Sequence, residues 1–420
     1  MLPVPPPASS HEATYRRVSL TALVEEVRPE LDALRHVLCF DDWSQLVADG
    51  RARTDQPLPT VDPATPFQIQ YTSGTTGFAK GALLHHRGAV NAARYSAERA
   101  GFAEGDCWVN PIPLFHVGGG VLTGVGALYR HGVHVVVPAF DPASCSSWWR
   151  PSGPTCCWRC RPCWSVCSTT PTVRRDCSNL RTVMSGSTVV PAELVRRTRA
   201  AWDCDFSILF GQTELHGVLT QTLPTDDDED QATTLGIPLP HVEVKIADTA
   251  TGHPVPIGMS GEICARGYQS MLGYFEMADA TAVALDADGW LHTGDLGSMD
   301  GRGYLRITGR LKDLIIRGGE NIHPREIEDL LAAHPAIAEV AVIGVADPTW
   351  GEQVGAVLRL HETAEPPTAA ALFAYCREHL APFKTPRSWY VVDEFPLTPS
   401  GKIQKFVLRD DLASLRTLKD

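Results

Sequence analysis

Apolar positions in the first half of the chain follow two alternating spacings. The segments 67–71, 107–110 and 133–137 are short apolar runs with the length and composition of buried strands. Between them, residues 87–99 and 119–129 repeat apolar positions at helical spacing. Alternating strands and helices are typical of a largely parallel sheet covered by helices. Residues 85–140 are therefore predicted to form βα repeats, and 67–71 a strand before them.

The same alternation extends to residue 210 and is then replaced by shorter runs. Strands are predicted at 179–186 and 206–210, with a helix at 193–202 between them. Residues 236–271 read as short strands with Gly and Pro turns. The first part of the chain is therefore predicted to be an α/β large domain with mostly parallel sheets and a β-rich subdomain.

A second, smaller unit is predicted at the C-terminus. Its elements are helices at 324–334 and 368–380 and strands at 338–345, 353–360 and 389–392. This mixture is typical of an α+β domain. The expected bounds are 1–309 for the large domain, 310–313 for a hinge and 314–420 for the small domain.

Two other segments have a weaker pattern. Residues 20–35 have helical spacing, residues 37–40 have strand character, and a polar, proline-rich connector is expected at 50–66. Residues 226–230 are five consecutive acids, which we interpret as a solvated loop because charge runs seldom bury.

Length and charge limit the class of protein. The chain has 420 residues, enough for at least two domains, and a net charge of −12 without a basic tract, so nucleic acid is not an expected partner. The most apolar stretch, 112–129, carries His116 and five glycines and is predicted to be core, not a membrane span. The start has no apolar run of signal-peptide length. A cytoplasmic protein is expected. A homodimer is one option for its oligomeric state.

The stretch most informative about chemistry is Tyr71-Thr-Ser-Gly-Thr-Thr-Gly-Phe-Ala-Lys-Gly81. Its glycines let backbone N–H groups face an anion, while several hydroxyls and Lys80 add donors and charge. It is not a Walker A loop, because Gly81 follows Lys80 where that pattern needs Ser or Thr. An ordinary surface turn seldom combines three glycines, several hydroxyls and a lysine. The stretch is therefore predicted to bind phosphate.

This stretch resembles the signature loop of the adenylate-forming superfamily, which contains acyl-CoA ligases, luciferases and peptide-synthetase adenylation domains. The resemblance covers the chain from about Tyr15 onward, although the opening part of the family's large domain has no counterpart here. The family has proline where this chain has Ala79, a change that frees one backbone angle. The loop residues that the resemblance implies for ATP binding are Ser73, Gly74, Thr75, Thr76, Gly77 and Lys80.

A second motif of that superfamily is Gly211-Gln-Thr-Glu214, directly after the predicted strand 206–210. By resemblance, Phe210 stacks on adenine, Thr213 contacts the phosphate region and Glu214 binds Mg²⁺. A lone carboxylate after a strand is usually solvated, but one beside a phosphate loop suits Mg²⁺, which takes one or two carboxylates plus phosphate oxygens. The further matches to the nucleotide site are Gly186, Gln212 and, as a second metal ligand, Thr75.

The remaining matches lie nearer the C-terminus. Asp295 ends the stretch Gly289-Trp-Leu-His-Thr-Gly-Asp295 and corresponds to the family's ribose-binding aspartate, since one carboxylate can accept bonds from both ribose hydroxyls. Arg310 matches the ribose-contacting arginine, and Lys312 falls at the family's hinge. A hinge needs a few residues that absorb backbone rotation.

Two residues are matched to the reaction itself. Lys402, in Pro396-Leu-Thr-Pro-Ser-Gly-Lys402, corresponds to the lysine that bridges the carboxylate and the α-phosphate, although a lysine in such a loop is usually just solvated. His116, in 113–119, corresponds to a histidine that borders the acyl pocket, although a lone histidine is more often a hydrogen-bonded core residue. The catalytic residues implied are Lys402, Glu214 and His116.

Residues 144–172 match neither helical nor strand periodicity. They hold six of the twelve cysteines and four of the ten tryptophans. Short spacings among Cys156, Cys160, Cys163 and Cys167 would suit a zinc site. We favour a reading-frame error, because the leucine codon CTG read one base late gives Cys or Trp codons, and the shifted reading predicts a helix, a buried strand and another helix. Independent sequencing of the gene distinguishes the two.

The combined motifs imply that ATP activates a carboxylic acid to acyl-AMP and that the acyl group is then transferred to coenzyme A. We expect the acid to be a fatty acid. Residues 318–328 resemble the fatty acyl-CoA ligase branch more than the peptide-synthetase branch. Three alternatives stay open at this point: a free-standing enzyme that loads a carrier protein, a non-catalytic remnant of a ligase, and a zinc module grafted on the fold. The expected ligands are ATP, Mg²⁺, coenzyme A and a small carboxylic acid.

Overall fold

The structure is a computed structural model. The residues that it describes are 8–11, 14–15, 18–32, 34–51, 57, 60–72, 79–137, 156–158, 179–186, 190, 192–361, 365–398 and 402–418. Contacts within the chain group it into two compact units, Met1–Asp62 and Pro63–Asp420.

The first unit contains short elements. Its strands are Ala8–His11, Thr14–Tyr15, Val18–Ser19 and His36–Cys39, and its helices are Leu20–Val27 and Trp43–Arg51, with 3-10 turns at Arg28–Glu30 and Phe40–Asp42. Strands Ala8–His11 and His36–Cys39 pair in parallel. The Ser19 hydroxyl accepts a hydrogen bond from Ala22 N and caps the first helix. That helix ends at Val27, so the predicted helix at 20–35 is too long; Pro29 follows it in the 3-10 turn.

A seven-stranded sheet, here called the large sheet, forms one layer of the second unit. In spatial order its strands are Ile237–Pro238, Thr220–Gln221, Asp205–Phe210, Thr182–Gly186, Cys156–Trp158, Cys107–Asn110 and Val133–Val136. The last five are parallel to one another, and the first two are antiparallel additions. The predicted mostly parallel α/β fold is confirmed.

Helices connect and cover these strands. They include His86–Arg99, Gly126–Tyr129, Ala192–Trp202 and Asp228–Thr233, with π-helical turns at Gly118–Val125 and a 3-10 turn at Thr213–Leu215. The helix Ala278–Ala284 instead contacts the strands Gly273–Tyr274 and Leu291–Met299. The helix predicted at 119–129 thus starts in wider turns, because Gly119 and Gly120 bring the backbone against the carbonyls of Pro113 and Leu114, closer than a Cβ would allow. No described helix is long and apolar enough to cross a membrane.

Two antiparallel sheets pack beside the large sheet. The signature sheet, named for the loop next to it, has the order Gly273–Tyr274, Lys80–His85 and Pro66–Thr72. The four-stranded sheet has the order Val242–Ala247, Gly261–Gly267, Leu291–Met299 and Leu305–Arg310. Buried side chains from both sheets share one core, among them Leu84, Ile263, Leu291 and Leu305. This packing is the β-rich part that the sequence predicted.

The C-terminal part is built on a sheet of its own. In spatial order its strands are Glu320–Ile322, Ile315–Arg317, Gly351–Leu360, Ser388–Val391 and Arg416–Thr417, and Ile337–Asp347 also pairs with Gly351–Leu360. Its helices are Pro324–Ala332, Ala369–His379 and Lys405–Asp410, with 3-10 turns at Leu311–Asp313 and Leu412–Ser414. The predicted small α+β domain is confirmed, while its exact bounds stay a prediction.

The acidic run at 226–230 is not a solvated loop. Asp227 caps the helix Asp228–Thr233 by accepting from Asp230 N. Asp226 and Asp230 are buried. Asp226 Oδ1 accepts from the Tyr304 hydroxyl at 2.7 Å, and both oxygens of Asp230 accept from Arg302 at 2.7 Å. Asp227, Asp228 and Glu229 are exposed as predicted, but the prediction was wrong for Asp226 and Asp230, whose buried charge these distant partners compensate.

The buried side chain of His216 links the signature sheet, at His85, to the segment that follows the strand Gly261–Gly267. His216 Nδ1 donates to the carbonyl of Gln269 at 2.7 Å, and its Nε2 accepts from His85 N at 3.1 Å. Burial lowers the pKa of His216 to about 4, so the ring is neutral at physiological pH. Gly88 lies against this ring, and a Cβ there would be 2.5 Å from Nε2.

Candidate active site

An ion pair joins two of the predicted nucleotide-binding residues. Asp295 and Arg310 are directly opposite each other on adjacent strands of the four-stranded sheet. Arg310 Nε lies 3.1 Å from Asp295 Oδ1, and the carboxylate is buried whereas the arginine is partly exposed. Burial raises the pKa of Asp295, while the positive charges of Arg310, Lys402 and Lys312 oppose that rise.

Lys402, from the C-terminal part, belongs to the same charged group. Its backbone is held by Thr398, whose hydroxyl accepts from Lys402 N at 3.1 Å and whose N–H donates to the Lys402 carbonyl. Burial and then Arg310 lower the pKa of the Lys402 ammonium, and the carboxylates of Asp295 and Glu214 raise it. The charges of Asp295, Glu214 and Arg310 therefore act on Lys402, although the four residues come from distant parts of the chain.

Glu214 lies in the 3-10 turn after the strand Asp205–Phe210. Its Oε1 accepts a hydrogen bond from the Tyr274 hydroxyl at 2.7 Å, and its carbonyl accepts from Met271 N at 2.8 Å. Lys80, at the first position of its strand, has its Nζ 4.9 Å from the centre of the Tyr274 ring. Tyr274 thus lies between two residues that the sequence assigned to the site, and sequence reasoning did not identify it.

His116 precedes the π-helical turns and is half-buried. Its Nδ1 accepts from Gly118 N at 3.0 Å, which leaves the ring proton on Nε2. Burial, and next the positive charge of Lys402, lower the pKa of His116. His116 is therefore a neutral imidazole with its proton on Nε2, within reach of the charge of Lys402.

The residues matched to the nucleotide wall follow two neighbouring strands of the large sheet. Gly186 ends the strand Thr182–Gly186, and Phe210 ends the strand beside it, so both lie at the carboxyl edge, where ligands bind in open α/β sheets. Gln212 and Thr213 follow in the next turn and are half-buried. A Cβ at Gly186 would lie 2.6 Å from the Leu209 carbonyl, so close strand packing alone requires glycine there.

Three further predictions concern the loop 73–77, the segment 144–172 and the hinge. Ser73, Gly74, Thr75, Thr76 and Gly77 lie outside the described residues, as does most of the segment 144–172. Within that segment, the strand Cys156–Trp158 is described and lies between two other strands of the large sheet. Lys312 lies in the 3-10 turn Leu311–Asp313, where Arg409 Nη2 is 2.9 Å from Asp313 Oδ1. The reading-frame hypothesis and the hinge stay predictions.

A second polar cluster supports the turn before Asp295. Glu262 accepts from Gly294 N at 3.0 Å and from His292 Nδ1 at 2.8 Å. His292 Nε2 is 3.5 Å from Asp286, and its Nδ1 is 3.5 Å from Cys264 Sγ. Glu262, Cys264 and His292 offer ligand atoms within 4.8 Å of one another, but their hydrogen bonds to each other and to the turn already satisfy them. The cluster holds the Asp295 turn in place.

The donors present fit ATP and Mg²⁺. A carboxylate has four lone-pair directions, and Tyr274 uses one at Glu214, so the remaining ones suit a hard cation that also binds phosphate oxygens. Lys80 and Lys402 have the positive charge that would suit phosphates, and the Asp295 carboxylate, paired with Arg310, has the lone pairs that hydroxyl donors would need.

A large α/β part followed by a small α+β part is the architecture of the adenylate-forming proteins. Models of two protein families match it: the AMP-binding enzyme family matches residues 10–275, and the AMP-binding enzyme C-terminal domain matches residues 326–402. The chain belongs to the AMP-binding enzyme family.

Named relatives of the chain are acyl-CoA ligases. It is 40% identical over 362 residues to the acyl-CoA ligase sidI of Aspergillus fumigatus, covering 83% of this chain and 61% of that protein. It is 37% identical over 367 residues to the mitochondrial medium-chain acyl-CoA ligase ACSF2 of Danio rerio, covering 82% of this chain and 58% of that protein. The chain therefore spans about three fifths of the length of these two relatives.

A solved structure with the same fold is that of ATP-bound MatB from Rhodopseudomonas palustris. It superposes with a TM-score of 0.83 at 28% sequence identity and covers 97% of this chain and 80% of the MatB chain. The expected superfamily resemblance is confirmed by these comparisons.

Proposed function

We propose that the protein activates a carboxylic acid with ATP and transfers the acyl group to coenzyme A. The single observation that supports this most is the convergence of Lys402 with Asp295, Arg310 and Glu214 in one charged cluster. A lysine from one domain beside carboxylates of another is what a reaction between a carboxylate and a polyphosphate requires. The family and the acyl-CoA ligase relatives support the same reaction.

In the first step, a carboxylate oxygen of the acid forms a bond to the α-phosphorus of ATP, and the bond to the bridging oxygen of pyrophosphate breaks. In the second, the thiol sulfur of coenzyme A forms a bond to the acyl carbon, the bond to the AMP oxygen breaks, and the thiol proton is lost to solvent. Neither step changes an oxidation state. Catalysis then consists mainly of positioning and charge stabilisation.

The residues of this chain divide that work. Lys402 neutralises charge between the acid's carboxylate and the α-phosphate, and Lys80 does so for the outer phosphates. Asp295 accepts the ribose hydroxyls, with Arg310 holding the carboxylate. His116 donates its Nε2–H toward the acid. Mg²⁺, held by Glu214 and phosphate oxygens, supplies positive charge that screens the phosphates.

The finer assignments are also part of the proposal. A fatty acid as the substrate is supported by the medium-chain relative ACSF2, and ATP by the MatB structure. The bounds 1–309, 310–313 and 314–420, with Lys312 in the hinge, are part of the proposal; the two family matches, 10–275 and 326–402, lie inside the proposed large and small domains. Phe210, Gln212, Thr213 and Gly186 are assigned to the adenine side of the site.

ATP–pyrophosphate exchange tests the first step alone. The purified 420-residue chain is incubated with Mg²⁺ and short, medium and long fatty acids, beside Lys402→Ala and, as a matched control, Lys405→Ala. Lys405 is paired with Glu328 at 2.6 Å within the small domain. We expect acid-dependent exchange that falls roughly 100-fold or more in Lys402→Ala and stays unchanged in Lys405→Ala.

Two other outcomes redirect the proposal. Exchange that then releases acyl groups to a carrier thiol but not to coenzyme A identifies a carrier-loading enzyme. Folded protein that shows no exchange with any acid identifies a non-catalytic member of the family.

A further inference from the structure

Tyr274 is the side chain that touches both ends of the proposed metal and phosphate site. Its hydroxyl donates to Glu214 Oε1 at 2.7 Å, and the Nζ of Lys80 is 4.9 Å from the centre of its ring. An ammonium over an aromatic face is attracted by the ring's negative face. Tyr274 therefore contacts the Glu214 carboxylate through its hydroxyl and the Lys80 ammonium through the face of its ring.

The backbone fixes this arrangement. Tyr274 pairs with Ala82 in the antiparallel signature sheet, so Lys80, two residues earlier on the strand of Ala82, is its diagonal neighbour on the same face. Tyr274 N donates to the Thr281 hydroxyl at 2.8 Å, and Phe275 N donates to the Gly81 carbonyl at 2.8 Å. The tyrosine ring is thus placed by the strand pairing and does not depend on a flexible loop.

The direction of the hydrogen bond is also fixed. An ionised carboxylate has no proton to give and a phenol has one, so the Tyr274 hydroxyl is the donor in this bond. Met271 N donates to the carbonyl of the same glutamate. Both the backbone and one carboxylate oxygen of Glu214 are therefore held.

We propose that Tyr274 is a positioning residue for the metal–nucleotide complex. It orients the carboxylate of Glu214 for Mg²⁺, which demands near-ideal octahedral geometry. Its ring also presents its negative face to the Lys80 ammonium. This inference rests on the proposed function, because it needs ATP and Mg²⁺ to bind here.

The experiment measures how much Mg²⁺ strengthens ATP binding. Calorimetry gives the Kd of ATP for the full chain in EDTA and in Mg²⁺, and the ratio is the metal enhancement. Tyr274→Phe removes only the hydroxyl. The matched control is Tyr304→Phe, which removes a hydroxyl that donates to Asp226 at the same distance of 2.7 Å, outside the site. Folding of each variant is checked by thermal unfolding.

We expect the enhancement to fall roughly tenfold in Tyr274→Phe, since removing the outer partner of a metal ligand typically costs 10–100-fold in metal affinity. The Kd in EDTA should stay within about twofold of the wild-type value, which a general structural defect would not allow. Tyr304→Phe should leave both values unchanged. In a Glu214→Gln background, Tyr274→Phe should have no further effect on the enhancement, because the two residues act through one contact.

Three results overturn the inference. An unchanged enhancement in Tyr274→Phe shows that the hydroxyl does not position the metal. An equal loss of ATP affinity with and without Mg²⁺ assigns Tyr274 a structural role only. Wild-type protein that binds no ATP removes the proposed function, and the inference with it. If Tyr274→Phe does not fold, Tyr274→His, which keeps a ring and a donor, replaces it, and we then expect the enhancement to be largely retained while Glu214→Gln loses it.

Discussion

Arg310 Nε lies 3.1 Å from Asp295 Oδ1, across two strands that place the residues directly opposite each other. The carboxylate is buried and the guanidinium is partly exposed, so the arginine can compensate the aspartate while it keeps contact with solvent. The pair thus keeps a charged acceptor inside the site, at the position proposed for the ribose.

Replacing Arg310 with Gln should weaken both the fold and nucleotide binding. The Asp295 carboxylate would lose its nearest cation, and its pKa, which burial already raises, should rise further. We expect the free energy of unfolding to fall by about 1–2 kcal/mol and AMP binding to weaken as the pH is lowered. Urea unfolding and calorimetry at several pH values measure the two effects.

The control for that variant is Arg359→Gln. Arg359 Nε is 2.6 Å from Glu339 on an exposed edge of the small domain. Its loss should change the free energy of unfolding by less than about 0.5 kcal/mol, because exposed ion pairs contribute little. Equal effects of the two variants would contradict a special role for the Asp295 pair.

The pH dependence of exchange should report the titration of Lys402. Burial lowers the pKa of its ammonium below the ordinary value of 10.5, so the charge is lost at a lower pH than that of a solvated lysine. The rate of ATP–pyrophosphate exchange should therefore decline on the alkaline side before pH 10.5. Lys402→Arg, which stays charged, should show a lower rate without this decline. An identical alkaline limb in both proteins would assign the titration to another group.

Sequence reasoning identified residues that belong to continuous motifs. Glu214, Asp295 and Arg310 each belong to a motif that the family resemblance identifies, and in the structure the charges of all three act on Lys402. Tyr274 was missed because its partner is 60 residues away and the dipeptide Gly273–Tyr274 has no motif that assigns chemistry to it. Contacts between distant strands depend on register, which the local pattern alone does not determine.

The sequence pattern also did not predict which charged side chains are buried. Five acids in a row favour solvent, yet Asp230 is buried because Arg302, 72 residues later, binds both of its oxygens. The Glu262 cluster carried a weak signal, since Glu262 and Cys264 alternate with the buried Ile263 and therefore share one face of a strand. Only the structure shows that this face supports the Asp295 turn.

Protein stability should fall in mild acid because of His216. Its pKa is about 4 when folded and 6.5 when free, so the unfolded chain binds more protons between these values and stability rises with pH there. The contribution is complete above pH 6.5 and on the order of 3 kcal/mol of it is lost by pH 4. Denaturant unfolding across this range should show a smaller loss in His216→Gln than in the wild type. The exposed His253→Gln should behave like the wild type.

Gly88→Ala should be one of the more damaging single-methyl additions in this chain. The new Cβ would lie 2.5 Å from His216 Nε2, and that ring cannot retreat because Gln269 and His85 hold its two nitrogens. Alanine normally stabilises a helix relative to glycine, so local propensity predicts the opposite sign. The steric clash should outweigh this gain in helix propensity and lower the free energy of unfolding by about 1–3 kcal/mol. Gly301→Ala, where no atom lies within 4 Å of the new Cβ, should change it by less than about 0.5 kcal/mol. If chemical denaturation gave Gly88→Ala the wild-type stability, the buried histidine would have to be far more mobile than its two hydrogen bonds indicate.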